Sequence, residues 1–295
     1  MNRAVVMVLA VCVTTSVGVS AQEKQKRFQP SYDEGAEYVN EHPAKEPSVL
    51  PYFTSWKDSK AKTGHGGFIE QDMFTRGDPA EPPDKGAVFK YLKVYSHGIL
   101  HGMQSTELVR HDREQVLFYV MNGSGRVEAG GKSEEIRDGS GILIPAGLEY
   151  RFVNTGNVIL EVIIVVEEIP GSFKPRKDMV VRNYRDVPCG FWGNYVTYNL
   201  LSSQDGLYEP LSMAVITMDT YSMGVQHFHF VGCEEIWLKV GGEENPCVLG
   251  KQLLRMNIGD AFFGLPLVPH SVINNTESRM MWLYVADRRD KQKSQ

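Results

Sequence analysis

The chain has 295 residues, enough for one large or two medium domains. Its 31 basic and 36 acidic residues leave a net charge of −5, without the positive surplus that neutralising nucleic-acid phosphates requires, so nucleic acid is excluded as a partner. Hydrophobic residues make up 42%, which suits a globular protein with a substantial core.

Residues 1–21 read as a secretory signal peptide. One positive charge at Arg3 precedes an apolar run, and small residues end at Val19-Ser20-Ala21. The apolar run is shorter than the roughly 20 residues a membrane span needs. Cleavage near Ala21 is therefore expected, giving an exported (periplasmic or extracellular) protein with no integral membrane span in the mature chain. That chain keeps Cys189, Cys233 and Cys247, an odd number, so it allows one internal disulfide at most and requires none.

Residues 22–85 are polar and rich in Pro and Gly, and read as a loop-rich extension with one short helical piece from Asp33. His42 and His65 fall in this part and carry no readable chemistry there. From residue 86 the pattern changes to short β runs separated by glycine turns, as in Gln115-Val-Leu-Phe-Tyr-Val-Met and Gly141-Ile-Leu-Ile. This β region extends to residue 170. A connector follows at 171–207, a second β region at 208–287, and a charged tail at 288–295.

The second β region holds the chemistry. It contains Gly224-Val-Gln-His227-Phe-His229-Phe-Val-Gly-Cys233-Glu234-Glu235-Ile-Trp237, then Gly259-Asp-Ala-Phe-Phe-Gly-Leu265-Pro266-Leu267-Val-Pro-His270-Ser-Val-Ile-Asn274. His227 and His229 are two apart, so in extended chain both side chains leave the same face. A carboxylate follows after a short turn, and a third imidazole stands at the start of a later strand. Three imidazoles and one carboxylate suffice as a first shell for a divalent transition metal with open positions left. Glu234 and Glu235 leave opposite faces of a strand, so only one of them reaches an ion. Glu235 is the preferred ligand, and Glu234 is then a candidate catalytic base. Trp237 shares the face of Glu235. Cys233 in the turn between them is expected to be a packed thiol.

This two-part pattern resembles the cupin superfamily. The spacings from Gly259 to His270 and from His270 to Asn274 are those of its second motif, although Leu265-Pro266-Leu267 replaces the usual Pro-x-Gly. The resemblance implies an all-β fold of two tandem jelly-roll barrels, because the first β region repeats the motif. There, Gly139 to Asn154 keeps Pro145-Ala-Gly147 but carries Tyr150 where the His belongs, and Val109-Arg110-His111 fills the His-x-His place. The first copy thus retains His111 and one of Glu114 or Gln115, and is not expected to hold a metal tightly. His97 and His101 precede it as possible substitutes.

One divalent transition metal (Zn, Cu, Mn or Fe) is accordingly expected per chain, held by His227, His229, Glu235 and His270. The resemblance leaves several activities open. The preferred one is Lewis-acid isomerisation or elimination on a small polar metabolite, a sugar acid or other carboxylate. A dioxygenase and a non-catalytic sugar-binding protein are the alternatives.

Overall fold

The computed structural model of the chain describes residues 48–208 and 211–289. The signal peptide at 1–21, the helical piece at Asp33, His42 and the end of the charged tail lie outside the described residues.

The described residues form strands linked by turns and short 3-10 segments. Branched and aromatic residues alternate along them, and the alternation separates two buried faces. In the strand Glu114–Asn122, Val116, Phe118 and Val120 face the interior of the first barrel, whereas Leu117 and Tyr119 belong to a separate cluster shared with the second barrel. The central sheet is therefore covered on both sides, and this strand reads as a continuous apolar run.

The first barrel pairs an eight-stranded sheet with a three-stranded one. In the large sheet, Glu114–Asn122 lies between Ser140–Ile144 and Leu160–Glu168, and Leu92–Leu100 and Phe68–Arg76 follow. The small sheet consists of Ser124–Ala129, Lys132–Arg137 and Tyr150–Val153. The second barrel repeats the plan. Its seven-stranded sheet is centred on Cys233–Gly241 and Met280–Arg288, and faces a four-stranded sheet that contains His270–Asn274. The expected all-β fold of two jelly-roll barrels is the observed one.

Two strands cross between the barrels. Phe53–Ser55 precedes the first barrel yet pairs with Asp260–Phe263 of the second. Val180–Asn183, in the expected connector, precedes the second barrel yet pairs with Ser140–Ile144 of the first. The first sheet also starts upstream of residue 86, because Phe68–Arg76 pairs with Leu92–Leu100. Residues 61–76 are thus hairpin rather than loop-rich extension. Polar residues at Lys62, Glu70 and Asp72 obscured the apolar alternation there, and these side chains are satisfied by ion pairs.

The repeated motif has a structural basis visible in both copies. The side-chain amide of Asn154 donates to the carbonyls of Leu100, His101 and Val158. That of Asn274 donates to Met218, Asp219 and Ser278. Each Asn therefore ties the end of its strand to two neighbouring segments. Gly147 N–H donates to the His111 carbonyl at 2.7 Å, and Leu267 N–H donates to the His229 carbonyl at the same distance. This turn needs a left-handed residue, with φ +81° at Gly147 and +64° at Leu267.

A leucine in that conformation costs about 1–2 kcal/mol, whereas glycine adopts it freely. Leu267→Gly is therefore expected to stabilise the protein by about 0.5–1 kcal/mol after the greater entropy of an unfolded glycine is set against it. A thermal melt checks this: the midpoint should rise by about 1–4 °C, and a fall would show that Leu267 packing outweighs the strain.

Candidate metal centre

The site is built at one end of the second barrel. His227 and His270 form an isolated antiparallel bridge in which each backbone N–H donates to the other's carbonyl, at 3.1 and 2.8 Å. This sets the two imidazoles side by side, with ring centroids 4.4 Å apart. The His-x-His segment is extended chain outside the regular strands, with His227 alone in the bridge. Its ring centroids are 5.0 Å apart. Glu235 enters from the Cys233–Gly241 strand, and Gly264 N–H donates to its carbonyl at 2.7 Å. A Cβ at Gly264 would stand 3.2 Å from His270 Cε1 and 3.4 Å from Glu235 Cβ, so glycine there lets these two residues approach.

All three Nε2 atoms converge on the Glu235 carboxylate. His229 lies 2.6 Å from Oε2, His270 3.0 Å from Oε1 and His227 3.9 Å from Oε1. One ligand atom from each of the four residues falls within 4.8 Å of all the others. The Nδ1 atoms of His227 and His270 face the carbonyls of Val225 and Val268, at 2.9 and 3.2 Å. A proton on Nδ1 satisfies each carbonyl and leaves Nε2 as a free lone pair, which is the tautomer a metal ligand needs. His229 Nε2 is buried and makes no hydrogen bond of acceptable angle. An orphaned buried lone pair costs about 1–3 kcal/mol, and a cation placed among these donors would satisfy it. The four residues therefore fit a divalent transition metal.

The electrostatics agree. Burial raises the Glu235 carboxyl, but the imidazoles of His229 and His270 set against it outweigh that and hold the group well below the usual range. Burial, and then His270, push His227 down to about 4, so its imidazole is neutral at physiological pH. A deprotonated Glu235 and a neutral His227 are what metal binding requires of them.

Two aromatics hold the carboxylate in place. Trp237 Nε1 donates to Glu235 Oε1 at 2.5 Å, and the Tyr284 hydroxyl donates to Oε2 at 2.8 Å. Arg288 in turn donates to Tyr284 at 2.5 Å. Strand alternation placed Trp237 on the face of Glu235. Tyr284 belongs to a different strand, and its role follows only from the pairing of Trp237 with Tyr284 across the sheet. On the outer side, Trp192 packs edge-on against His227 at 4.6 Å. His227 and His229 are partly exposed, whereas Glu235 and His270 are buried, so the cluster is open on the side of the first two.

Glu234 does not belong to this site. It faces the first barrel, where its oxygens accept the backbone N–H groups of Lys90, Tyr91 and Leu92 at 2.5, 2.9 and 2.9 Å. Burial pushes its carboxyl up to about 7, against the downward pull of those three donors. The assignment of Glu234 as catalytic base is therefore corrected: one residue of alternation turns it away from the imidazoles, into a cap on the start of a neighbouring strand.

Cys233 is buried and unpaired, with its thiol pushed up to about 12 first by burial and then by Glu235, so it is no thiolate ligand. Cys189 and Cys247 are also free. Of the possible substitutes in the first barrel, His97 stacks on Trp56 at 4.1 Å and bonds Glu161 at 2.8 Å, and His101 is exposed.

Comparison with known proteins places this geometry in a fold. Residues 98–166 match the cupin domain family. The match falls on the first barrel, the copy whose motif has lost two imidazoles. The structure resembles Bacillus subtilis oxalate decarboxylase, with a TM-score of 0.63 and 14% identity over 86% of this chain and 83% of that one. A solved structure of that enzyme is described by its Mn(II) centres. A putative glyoxylate-induced protein from Pseudomonas aeruginosa gives a TM-score of 0.64 and 10% identity, covering 82% and 90% of the two chains. Protein Ylba from E. coli gives 0.63 and 16%, covering 85% and 97%. At such identities the likeness is one of fold. A search of curated proteins finds no relative by sequence.

Proposed function

We propose that the protein is an exported, metal-dependent enzyme acting on a small polar metabolite, a sugar acid or other carboxylate. The observation that carries this reading is the convergence of three imidazole Nε2 atoms on one buried carboxylate. A divalent ion held by this set would act as a Lewis acid on a bound oxygen. One carboxylate and three neutral imidazoles leave such a site with net positive charge, which an anionic substrate offsets. The partly exposed side of His227 and His229 is the side open to substrate.

Glu235 is occupied on both oxygens by Trp237 and Tyr284, so these residues orient the carboxylate and are not free to move a proton. With Glu234 on the other face of the strand, a reaction that depends chiefly on polarising the substrate fits this shell better than one needing a carboxylate base beside the ligand. Isomerisation and elimination of hydroxy or keto acids release a proton, which in this shell would pass to solvent or to a basic group of the substrate itself, its acidity raised by the ion. Zn, Cu, Mn and Fe all suit the donor set, and binding outside the cytoplasm favours Cu and Zn by intrinsic affinity. Export rests on the apolar run and small residues that precede Gln22.

The test is incubation of metal-loaded and metal-stripped protein with uronates, keto-sugars and small carboxylates, with and without oxygen. Turnover of one class by the loaded form alone is expected. Turnover that consumes oxygen would move the reading to a dioxygenase. Tight sugar binding with no turnover by either form would replace it with a binding protein.

A further inference from the structure

The first barrel has lost its metal motif at the expected positions, yet its mouth is not apolar. Val109 and Tyr150 form the same isolated bridge there that His227 and His270 form in the second barrel. Leu117 pairs with Leu143 as Ile236 pairs with Phe263, so Val116 takes the place of Glu235. Glu114 instead contacts His111 Nδ1 at 3.2 Å. One imidazole and one phenol therefore remain.

A second imidazole arrives from outside the motif. His65 sits in the turn between Ala61–Gly64 and Phe68–Arg76, with φ +40°, an uncommon conformation for a residue with a side chain. The turn is latched to the barrel mouth, because Glu107 N–H donates to the Gly66 carbonyl at 2.7 Å. The His65 ring then lies 5.3 Å from that of His111, and the His111 ring 6.2 Å from that of Tyr150. The centroid separation of His65 and His111 equals that of His229 and His270 in the second barrel, also 5.3 Å.

Each of these two imidazoles has a carboxylate at Nδ1. Glu70 lies 2.6 Å from His65, and Glu114 lies 3.2 Å from His111. A proton on each Nδ1 is the natural arrangement, and it leaves both Nε2 atoms as lone pairs. Both Nε2 atoms and the Tyr150 hydroxyl are buried and without hydrogen-bond partners. Tyr150 has one proton and can satisfy one lone pair at most. A bound anion would meet lone pairs and two nearby carboxylates. A cation would satisfy the pocket, and carboxylate-backed imidazoles are the usual surroundings of a transition metal.

We propose that the first barrel carries a second divalent transition-metal site, held by Nε2 of His65 and His111 with the Tyr150 hydroxyl beside them. The expectation of one ion per chain counted only residues at the motif positions and did not include His65. The two-imidazole set predicts weaker binding than the four-ligand set of the second barrel.

The test uses the full chain loaded with Cu(II), dialysed, and followed by elemental analysis and electron paramagnetic resonance. Two coppers per chain are expected for the unaltered protein and one for His65→Ala. His227→Ala with His270→Ala should also retain one, with nitrogen hyperfine structure that a further His111→Ala abolishes. Tyr150→Phe should change the signal of the remaining copper. A copper count unchanged by His65→Ala in a protein of native circular dichroism overturns the proposal. A count of one in the unaltered protein that His227→Ala abolishes and His65→Ala preserves overturns it equally. A count of one that His65→Ala abolishes would instead support this site and tell against the second barrel's.

Discussion

Glu235→Gln is expected to weaken transition-metal binding by at least about 100-fold, and Glu234→Gln to change it by less than about 3-fold. Replacing groups that merely orient metal ligands typically costs 10–100-fold, so removing the one anionic ligand sets the larger loss. Glu235 faces His227, His229 and His270, whereas Glu234 accepts backbone N–H groups from residues 90–92 on the other face of the strand. The two variants should separate in a second measurement. Glu234→Gln should lower the thermal midpoint of the metal-free protein, because one oxygen cannot accept all three donors and the amide nitrogen must face one of them. Competition titration against a chelator and a melting curve read the two effects. Comparable affinity losses in the two variants would remove Glu235 from the ligand role.

Arg289→Ala is expected to destabilise the fold by about 3–5 kcal/mol near pH 8, and by much less near pH 4. Arg289 bridges two fully buried carboxylates at the junction of the barrels, bonding Glu167 and contacting Asp287 at 2.9 Å. Its guanidinium also lies over the rings of Tyr91 and Tyr208. Burial, and then Asp287, hold the Glu167 carboxyl above its ordinary range, and burial raises Asp287 as well. Removing the cation raises both further. A group whose folded pKa lies above its unfolded value favours the fold when protonated, so that contribution is present at acid pH and is lost as pH rises through the folded value. The deficit of Arg289→Ala relative to the unaltered protein should therefore grow from pH 4 to pH 8. A loss of this size corresponds to roughly 6–20 °C in the melting midpoint at the alkaline end. A deficit independent of pH would mean that packing over Tyr91 and Tyr208 dominates.

These residues show how far each kind of information reaches. The His-x-His pair, the face that Glu235 and Trp237 share, and the two β regions were legible because they depend on near neighbours. A strand alternates every second residue, and a turn announces itself by glycine, so local order alone places such side chains on one face. The recurrence of Gly139 and Asn154 as Gly259 and Asn274 likewise identified both barrels, and the structure gives Asn154 and Asn274 matching carbonyl contacts.

Alternation alone could say that Glu234 and Glu235 diverge, but not which face the core would claim. That was decided by the pairing of Cys233–Gly241 with Asp260–Phe263 and Met280–Arg288, which turns Glu235 toward Tyr284 and Glu234 toward the first barrel. The strand exchange of Phe53–Ser55 and Val180–Asn183 had no local signature, because a three- or four-residue strand is recognisable only by the partner it finds. His65 is the clearest case. It reads as a turn residue in a polar stretch, and only the hairpin pairing of residues 61–76 brings it to His111, far along the chain. Sequence thus determined the periodic, near-neighbour part of this protein. Contacts between distant segments were left to the tertiary structure, because they are selected by the burial and hydrogen bonding of whole sheets, which no short stretch of residues encodes.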